Sequence, residues 1–405
     1  MGELSMEARR EITKKQGLEY ARAGKKRKGE VLDLVVAVTG WSRANARRQL
    51  TAAAKRRGVP RKVPRRRERK YSATSITVLA RVWSLVGEPC GKYLAVVMED
   101  SLEALGRFDE LGPVAALLTA EVRRELLSMS GATIDRYLRT VKAARYPKPP
   151  SPTKAGTMLR QDIPVRWTGT PMEQRPGFLE IDTVAHCGDN LVGDYLWTLT
   201  ATDVFLGWTR TVCIRSRGHR LVLDAIKAII EELPYPVTGI DFDNGGEFVN
   251  HQFVAWAAEE NIPLTRARPY QHNDNAHVEQ RNNDWVRRHA FRYRYEGPEE
   301  MVLLNELWTL VNQRKNYLLP MKKAAGWNKR PSGRTRRVYD QPRTAYLRLL
   351  DTGILDPAAA KELKDIHDSL NPAEITREIN QIQTKLITRV KLRAATGTTR
   401  ISRAI

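Results

Sequence analysis

The spacing of apolar positions changes character along the chain, and each change marks a region. From Ser5 to about Ala23 apolar residues recur at helical spacing without proline, until Gly24-Lys25-Lys26-Arg27-Lys28-Gly29 breaks the run. A second helix is expected from about Glu30 to Val38, closed by Thr39-Gly40, and a third from Arg43 with Ser42 as its N-cap. Residues 71–146 stay helical, and the proline-rich run that begins at Tyr146 reads as the start of a linker over 147–174. After Arg175-Pro176-Gly177 the period shortens to that of strands: FLEIDTVAH, GDYLWTLTATDV and GWTRTVCIR form a meander. A helix (LVLDAIKAIIEEL), a strand (VTGIDFDNGGEF), a helix (HQFVAWAAEEN), a short strand (IPLTRARP) and a long helix from NDNAHVEQRNN follow. Three strands, helix, strand, helix, strand, helix predicts a mixed sheet of the ribonuclease H type. Beyond residue 295, LLNELWTLVNQRKNYLLP is an amphipathic helix, KKAAGWNKRPSGRTRRV a basic loop, and 357–391 two helices parted by Asn371-Pro372. In the second of these, Ile375, Ile379, Ile382 and Leu386 make one apolar face, suited to internal packing or to a coiled coil with a second copy.

Charge sharpens this division. The chain of 405 residues carries 68 Lys plus Arg and 46 Asp plus Glu, a net +22, which points to a polyanionic partner. Residues 1–70 hold +15 of it, 71–170 hold +3, 171–295 hold −4 and 296–405 hold +8. A slightly acidic module within a basic chain fits an enzyme that uses cations on a polyanion held by its neighbours. No apolar run reaches the ~18 residues of a membrane span, and the charged N-terminus lacks a signal-peptide pattern, so a cytoplasmic protein is expected. Cys90, Cys187 and Cys213 are too scattered for a disulfide framework, and the first histidine is His186, so no His/Cys zinc module precedes it.

In the N-terminal part, a helix, a glycine turn and a helix opening on basic side chains is the layout of a helix-turn-helix. Arg43, Asn45, Arg47 and Arg48 would contact DNA there, unless the helix is a solvated one packed by Trp41 and Leu50. The basic stretch KRRGVPRKVPRRRERK, with Arg65, Arg66 and Arg67, is either a soluble tether or an arm along a phosphate backbone. A second candidate of the same layout has Thr133, Asp135, Arg136 and Arg139 on its second helix; a packing bundle competes with it.

Within the acidic module three carboxylates stand out: Asp182 mid-way along the first strand, Asp243 at the end of the fourth, and Glu279 near the start of the long helix. Thirty-five residues separate the last two. EIDT, DNGGEF and PYQHNDNAHVEQRNN at this spacing resemble the catalytic core of the DDE transposase and retroviral integrase superfamily, over roughly residues 175–295. The resemblance implies DNA transposition by phosphoryl transfer without a covalent protein intermediate. It implies two Mg²⁺ (or Mn²⁺) ions, with Asp182 bridging both while Asp243 and Glu279 each hold one, and Asn282 lining the same helix as a DNA contact. Partners would be element ends and target DNA, in a homo-oligomer. Glu180 and Asp241 compete for the aspartate roles, since each lies two residues before its neighbour on the same strand face. Glu247 resembles a turn-supporting residue of the family, and His272, Asp274 and His277 read as loop hydrogen-bonders. Where many relatives have a DNA-gripping lysine this chain has Val286, followed by Arg287 and Arg288.

The expected architecture is multidomain α plus α/β. It comprises a basic helix-turn-helix region (1–70), a helical region (71–146), a linker (147–174), the core (175–295) and a basic helical region suited to oligomerisation (296–405). Two rivals remain: a DNA-binding regulator without catalysis, and a tyrosine recombinase built on His289-x-x-Arg292 with a downstream tyrosine such as Tyr317.

Overall fold

A computed structural model describes residues 6–56, 70–145, 175–242, 251–266, 276–329 and 335–397. The chain divides into two units, Met1–Lys70 and Tyr71–Ile405. Asp243, Glu247, His272, Asp274, Arg65, Arg66, Arg67 and the linker 147–174 lie outside the described residues.

The first unit contains α1 (Met6–Arg22), α2 (Lys25–Thr39) and α3 (Arg43–Arg56) around Tyr20, Val31, Leu32, Val35, Ala46 and Leu50. α2 begins five residues before the expected Glu30, because Gly24 alone interrupts the helical path. Arg27 of the basic run donates to Glu19 on α1 (2.7 Å) and to Glu30 one turn on (2.8 Å). Gly40 closes α2 at φ +69°, a conformation that suits glycine, and sends its N–H to the Val36 carbonyl. Ser42 then accepts the Asn45 N–H, capping α3.

The second unit opens with α4 (Ala73–Leu85), α5 (Gly91–Leu94), α6 (Met98–Arg107), α7 (Ala120–Leu127) and α8 (Gly131–Arg145). A Cβ on Gly91 would overlap the Gly131 carbonyl, so the two glycines let α5 and α8 meet. Asp135, expected on a DNA-reading helix, instead accepts the Gly91 N–H (3.0 Å) and pairs with Lys142 (2.8 Å), while Arg136 and Arg139 stay exposed.

The sheet has the order β3-β2-β1-β4-β5, built from β1 (Phe178–Ala185), β2 (Trp197–Asp203), β3 (Thr209–Ile214), β4 (Gly239–Phe242) and β5 (Leu264–Arg266). The first three strands are antiparallel; β4 and β5 run parallel to β1, which is the mixed sheet the sequence predicts. Alternation gives its faces different chemistry. Leu179, Ile181, Leu199, Ala201, Ile240 and Phe242 look one way, into a core shared with α9 (His219–Glu231) and α10 (His251–Glu259). Glu180, Asp182, Thr198, Thr200, Thr202 and Asp241 look the other way, as the pairings Glu180↔Thr202, Asp182↔Thr200 and Glu180↔Asp241 require.

That second face is covered by the helical run 276–290 and by α13 (Pro298–Gln313). The run comprises α11 (Ala276–Arg281), a π-helical stretch Asn282–Arg287 and the short α12 (Arg288–Ala290). α13 continues as a second π stretch, Arg314–Leu318. Asn305, Asn312 and Asn316, on one side of this helix, reach the outer backbone of β3. Asn305 pairs with Cys213 N–H and C=O, Asn316 with those of Thr209, and Asn312 with the Thr211 carbonyl and hydroxyl. An edge strand is thereby closed to further pairing by side-chain amides.

The expected basic loop after α13 is partly a hairpin, β6 (Ala324–Lys329) against β7 (Thr335–Tyr339). α14 (Ala345–Thr352), α15 (Pro357–Ser369) and α16 (Pro372–Gly397) complete the chain. Ile375, Ile379, Ile382 and Leu386 are each at most 7% exposed and pack in the cluster that holds Leu304, Leu307 and Val311 of α13. The apolar face that could have served a coiled coil is therefore filled from within the chain. Glu110 accepts Arg377 in a bidentate pair (2.6 and 2.7 Å) and Asn371 (2.7 Å), tying α16 to the α4–α8 helices. No helix among the described residues is long and apolar enough to cross a membrane.

Candidate functional site

Asp182 stands mid-strand on β1, half-buried. One carboxylate oxygen accepts the Thr183 N–H (2.7 Å) and the other the Asn282 side-chain amide (2.6 Å). Asn282 lies one helical turn after Glu279 and is 2% exposed, so the residue expected to touch DNA instead grips the strand aspartate from inside. The Glu279 side chain is not among those described; its backbone belongs to α11. The β1–β4 pairing is described as far as Ile181↔Phe242; Asp182 follows Ile181 on β1, and Asp243 lies outside the described residues.

The two competing carboxylates have other partners. Glu180, 4% exposed, accepts the Val278 N–H of α11 (3.0 Å), and Asp241, 5% exposed, accepts the Thr265 hydroxyl of β5. Around them the threonine face is largely satisfied: Thr202 bonds Thr209, and Thr198 meets both Trp308 and His186. Among the described residues, Thr200 Oγ1 and Asn282 Oδ1 are buried without a hydrogen-bond partner, and both belong to residues next to Asp182 by pairing or by contact. Orphaned oxygens flanking a carboxylate fit a hydrated hard cation, whose waters donate to such atoms. Among the described residues no three His, Cys, Asp or Glu side chains form a ready ion cluster; of the expected trio, Asp182 is the one whose side chain is described.

Basic groups gather along the same helical run. The Arg281 guanidinium (4.9 Å) and the Lys315 ammonium (5.2 Å) each lie over the ring of buried Trp285. Burial lowers Lys315 to about 8 against the opposing pull of Asp284, its partner at 2.6 Å, and lowers Arg281 to about 10. Burial would raise the Asp284 carboxyl, but Lys315, Arg288 and Arg281 bring it below the ordinary carboxylate range. Val286, at the family's lysine position, is fully buried, whereas Arg287 and Arg288 are exposed. Arg43, Arg47 and Arg48 of the first unit are exposed too; Arg43 pairs with Asp33 and Asn45 is half-buried.

Both ring nitrogens of His289 have structural partners: Nδ1 with the Trp285 carbonyl and Nε2 with Arg314, each at 2.7 Å. Burial, then Arg314 and Lys315, hold this imidazole neutral. Tyr317 is 8% exposed, and burial pushes its phenol up to about 12. Neither side chain is set for recombinase chemistry.

Sequence reasoning missed the Glu180–Val278 tie, the Asn282 grip and the asparagine row of α13. Of these only the last had a signal in the chain, the spacing of residues 305, 312 and 316 on one helix side.

Residues 172–272 match the integrase core domain family, a match that stops short of Glu279. The chain is 32% identical over 317 residues to uncharacterized protein y4rM of Sinorhizobium fredii, covering 78% of this chain and 88% of that one. Among solved structures, the catalytic core domain of BIV integrase is 18% identical at a TM-score of 0.30, covering 44% of this chain and 95% of that one. The HTLV-2 integrase catalytic core domain in complex with magnesium is 18% identical at 0.27, covering 39% and 92%. The chain belongs to the integrase-core family within the DDE transposase and retroviral integrase superfamily.

Proposed function

We propose that the chain is a DNA transposase that cleaves element ends and joins their 3′-hydroxyls to target DNA. The observation that carries this reading is Asp182, set on a buried polar sheet face and gripped by Asn282 from the helix that bears Glu279. In the proposed site Asp182, Asp243 and Glu279 hold two Mg²⁺ or Mn²⁺ ions; three carboxylates suit a cation that keeps several waters. Ions so held activate the attacking oxygen and stabilise the leaving one. The protein's own part is positioning: Asn282 orients the Asp182 carboxylate, and the threonine face and α13 keep bulk water from the inner side of the sheet.

DNA is held by the flanking basic regions. α2, the Gly40 turn and α3 act as a helix-turn-helix, with Arg43, Asn45, Arg47 and Arg48 toward the groove and Arg65, Arg66 and Arg67 along the backbone. Each π-type bond spans five residues rather than four, so the faces of the run 276–290 slip by one residue across 282–287. Arg287, with Arg288, thereby takes the place that Val286 vacates. Joining two ends calls for more than one protomer. The test is joining of labelled DNA taken from the flanks of the coding sequence: product in Mg²⁺, none in EDTA and none with Asp182→Asn or Glu279→Gln. Joining that persists in EDTA, or a tyrosyl-DNA adduct, would overturn the reading.

A further inference from the structure

Two buried carboxylates on the polar face lie outside the proposed ion-ligand set. Asp241 meets a hydroxyl of the neighbouring strand, a local contact within the sheet. Glu180 does something different: it reaches out of the sheet to the backbone of a helix 98 residues further along the chain. Its acceptor role falls on Val278, the residue immediately before Glu279. A carboxylate suits that N–H, since the hydrogen bond it accepts is charge-assisted. Burial to 4% exposure removes the water that would otherwise compete for that donor.

β1 and the helical run 276–290 are therefore tied at two points, Glu180 to Val278 and Asp182 to Asn282, and Glu279 sits between them along that run. The two sheet positions are neighbours on one face, and the two helix positions are four residues apart, about one turn. With both ties made, the helix can neither slide along the strand nor rotate about its axis. We propose that Glu180 is a positioning residue of the phosphoryl-transfer site, fixing through the Val278 N–H where Glu279 stands relative to Asp182 before any ion binds. The inference rests on the reading of Asp182 and Glu279 as ion ligands.

The experiment is Mn²⁺ titration of the full chain by calorimetry, with wild type, Glu180→Ala, Glu180→Gln and Glu279→Gln. Glutamine keeps an oxygen that accepts the N–H, so Glu180→Gln should bind within about threefold of wild type, while Glu180→Ala should weaken binding about 10- to 100-fold. Wild-type affinity in Glu180→Ala, or equal weakening by both substitutions, overturns the proposal. Glu279→Gln separates the two layers of the argument: if it binds Mn²⁺ like wild type, the ion-ligand reading itself has failed. A further measurement needs no variant. The Val278 amide of the metal-free protein should exchange with solvent at least about tenfold more slowly than an open chain, because the Glu180 carboxylate holds it; exchange at the open-chain rate contradicts the tie.

Discussion

One sheet presents two faces that differ by a single residue step along β1. Ile181 enters an apolar layer beneath α9 and α10; Asp182, next to it, enters a layer of threonines and carboxylates beneath α11 to α13. The first face is held by burial of hydrocarbon, which tolerates any tight fit. The second is held by specific donors and acceptors, and leaving one unmatched is costly. A fold that stabilises itself on one side keeps the other for placing charged oxygens at defined points.

The largest effect should come from Asp182→Asn. On the proposed reading, in which Asp182 is an ion ligand, this loss should cut DNA joining on the order of a thousandfold, with melting temperature within a few degrees of wild type (about 3 °C). Ile181→Ala should do the reverse: a denaturant titration should show about 2–5 kcal/mol lost, while joining per folded molecule stays near wild type. If the two substitutions exchanged these signatures, the assignment of faces would be wrong.

Smaller effects grade the polar face. Thr198→Val leaves the buried Trp308 indole N–H and the His186 ring without their shared partner, which should cost about 1–3 kcal/mol by the same titration. His186 gives the face its pH dependence. Burial, then the charge of Arg287, lowers this imidazole to about 3. Its unfolded counterpart titrates near ~6.5 and binds a proton that the native state refuses. Its contribution is thus complete above pH ~6.5 and is lost progressively as pH falls toward 3, by up to about 1.4 kcal/mol per pH unit. Melting curves across that window should flatten in His186→Gln; an unchanged slope would show the proton uptake to lie elsewhere.

Legibility in the sequence followed the range of the forces involved. The succession of strands and helices was readable because alternation and helical spacing are local, and Asp182 was placed on β1 by that alternation. The polar face was not anticipated, although Thr198, Thr200 and Thr202 alternate, since threonine suits a strand on either side of a sheet. The spacing of Ile375, Ile379, Ile382 and Leu386 announced an apolar face but not its occupant, which is α13 rather than a second copy. β6 escaped notice because KKAAGWNK has no β-branched residue, and its pairing is decided by β7. Glu180–Val278 and Asp182–Asn282 join residues about a hundred positions apart, set by packing that no local pattern encodes.

The central claim is that β1 alternates between building the fold and placing the chemistry. An alanine scan from Leu179 to Val184, reading melting temperature and DNA joining per folded molecule at each position, tests it most directly. The account predicts joining losses at Glu180 and Asp182 and stability losses at Leu179 and Ile181. Joining at the wild-type rate in Asp182→Ala, or losses of both kinds spread without regard to face, would contradict it.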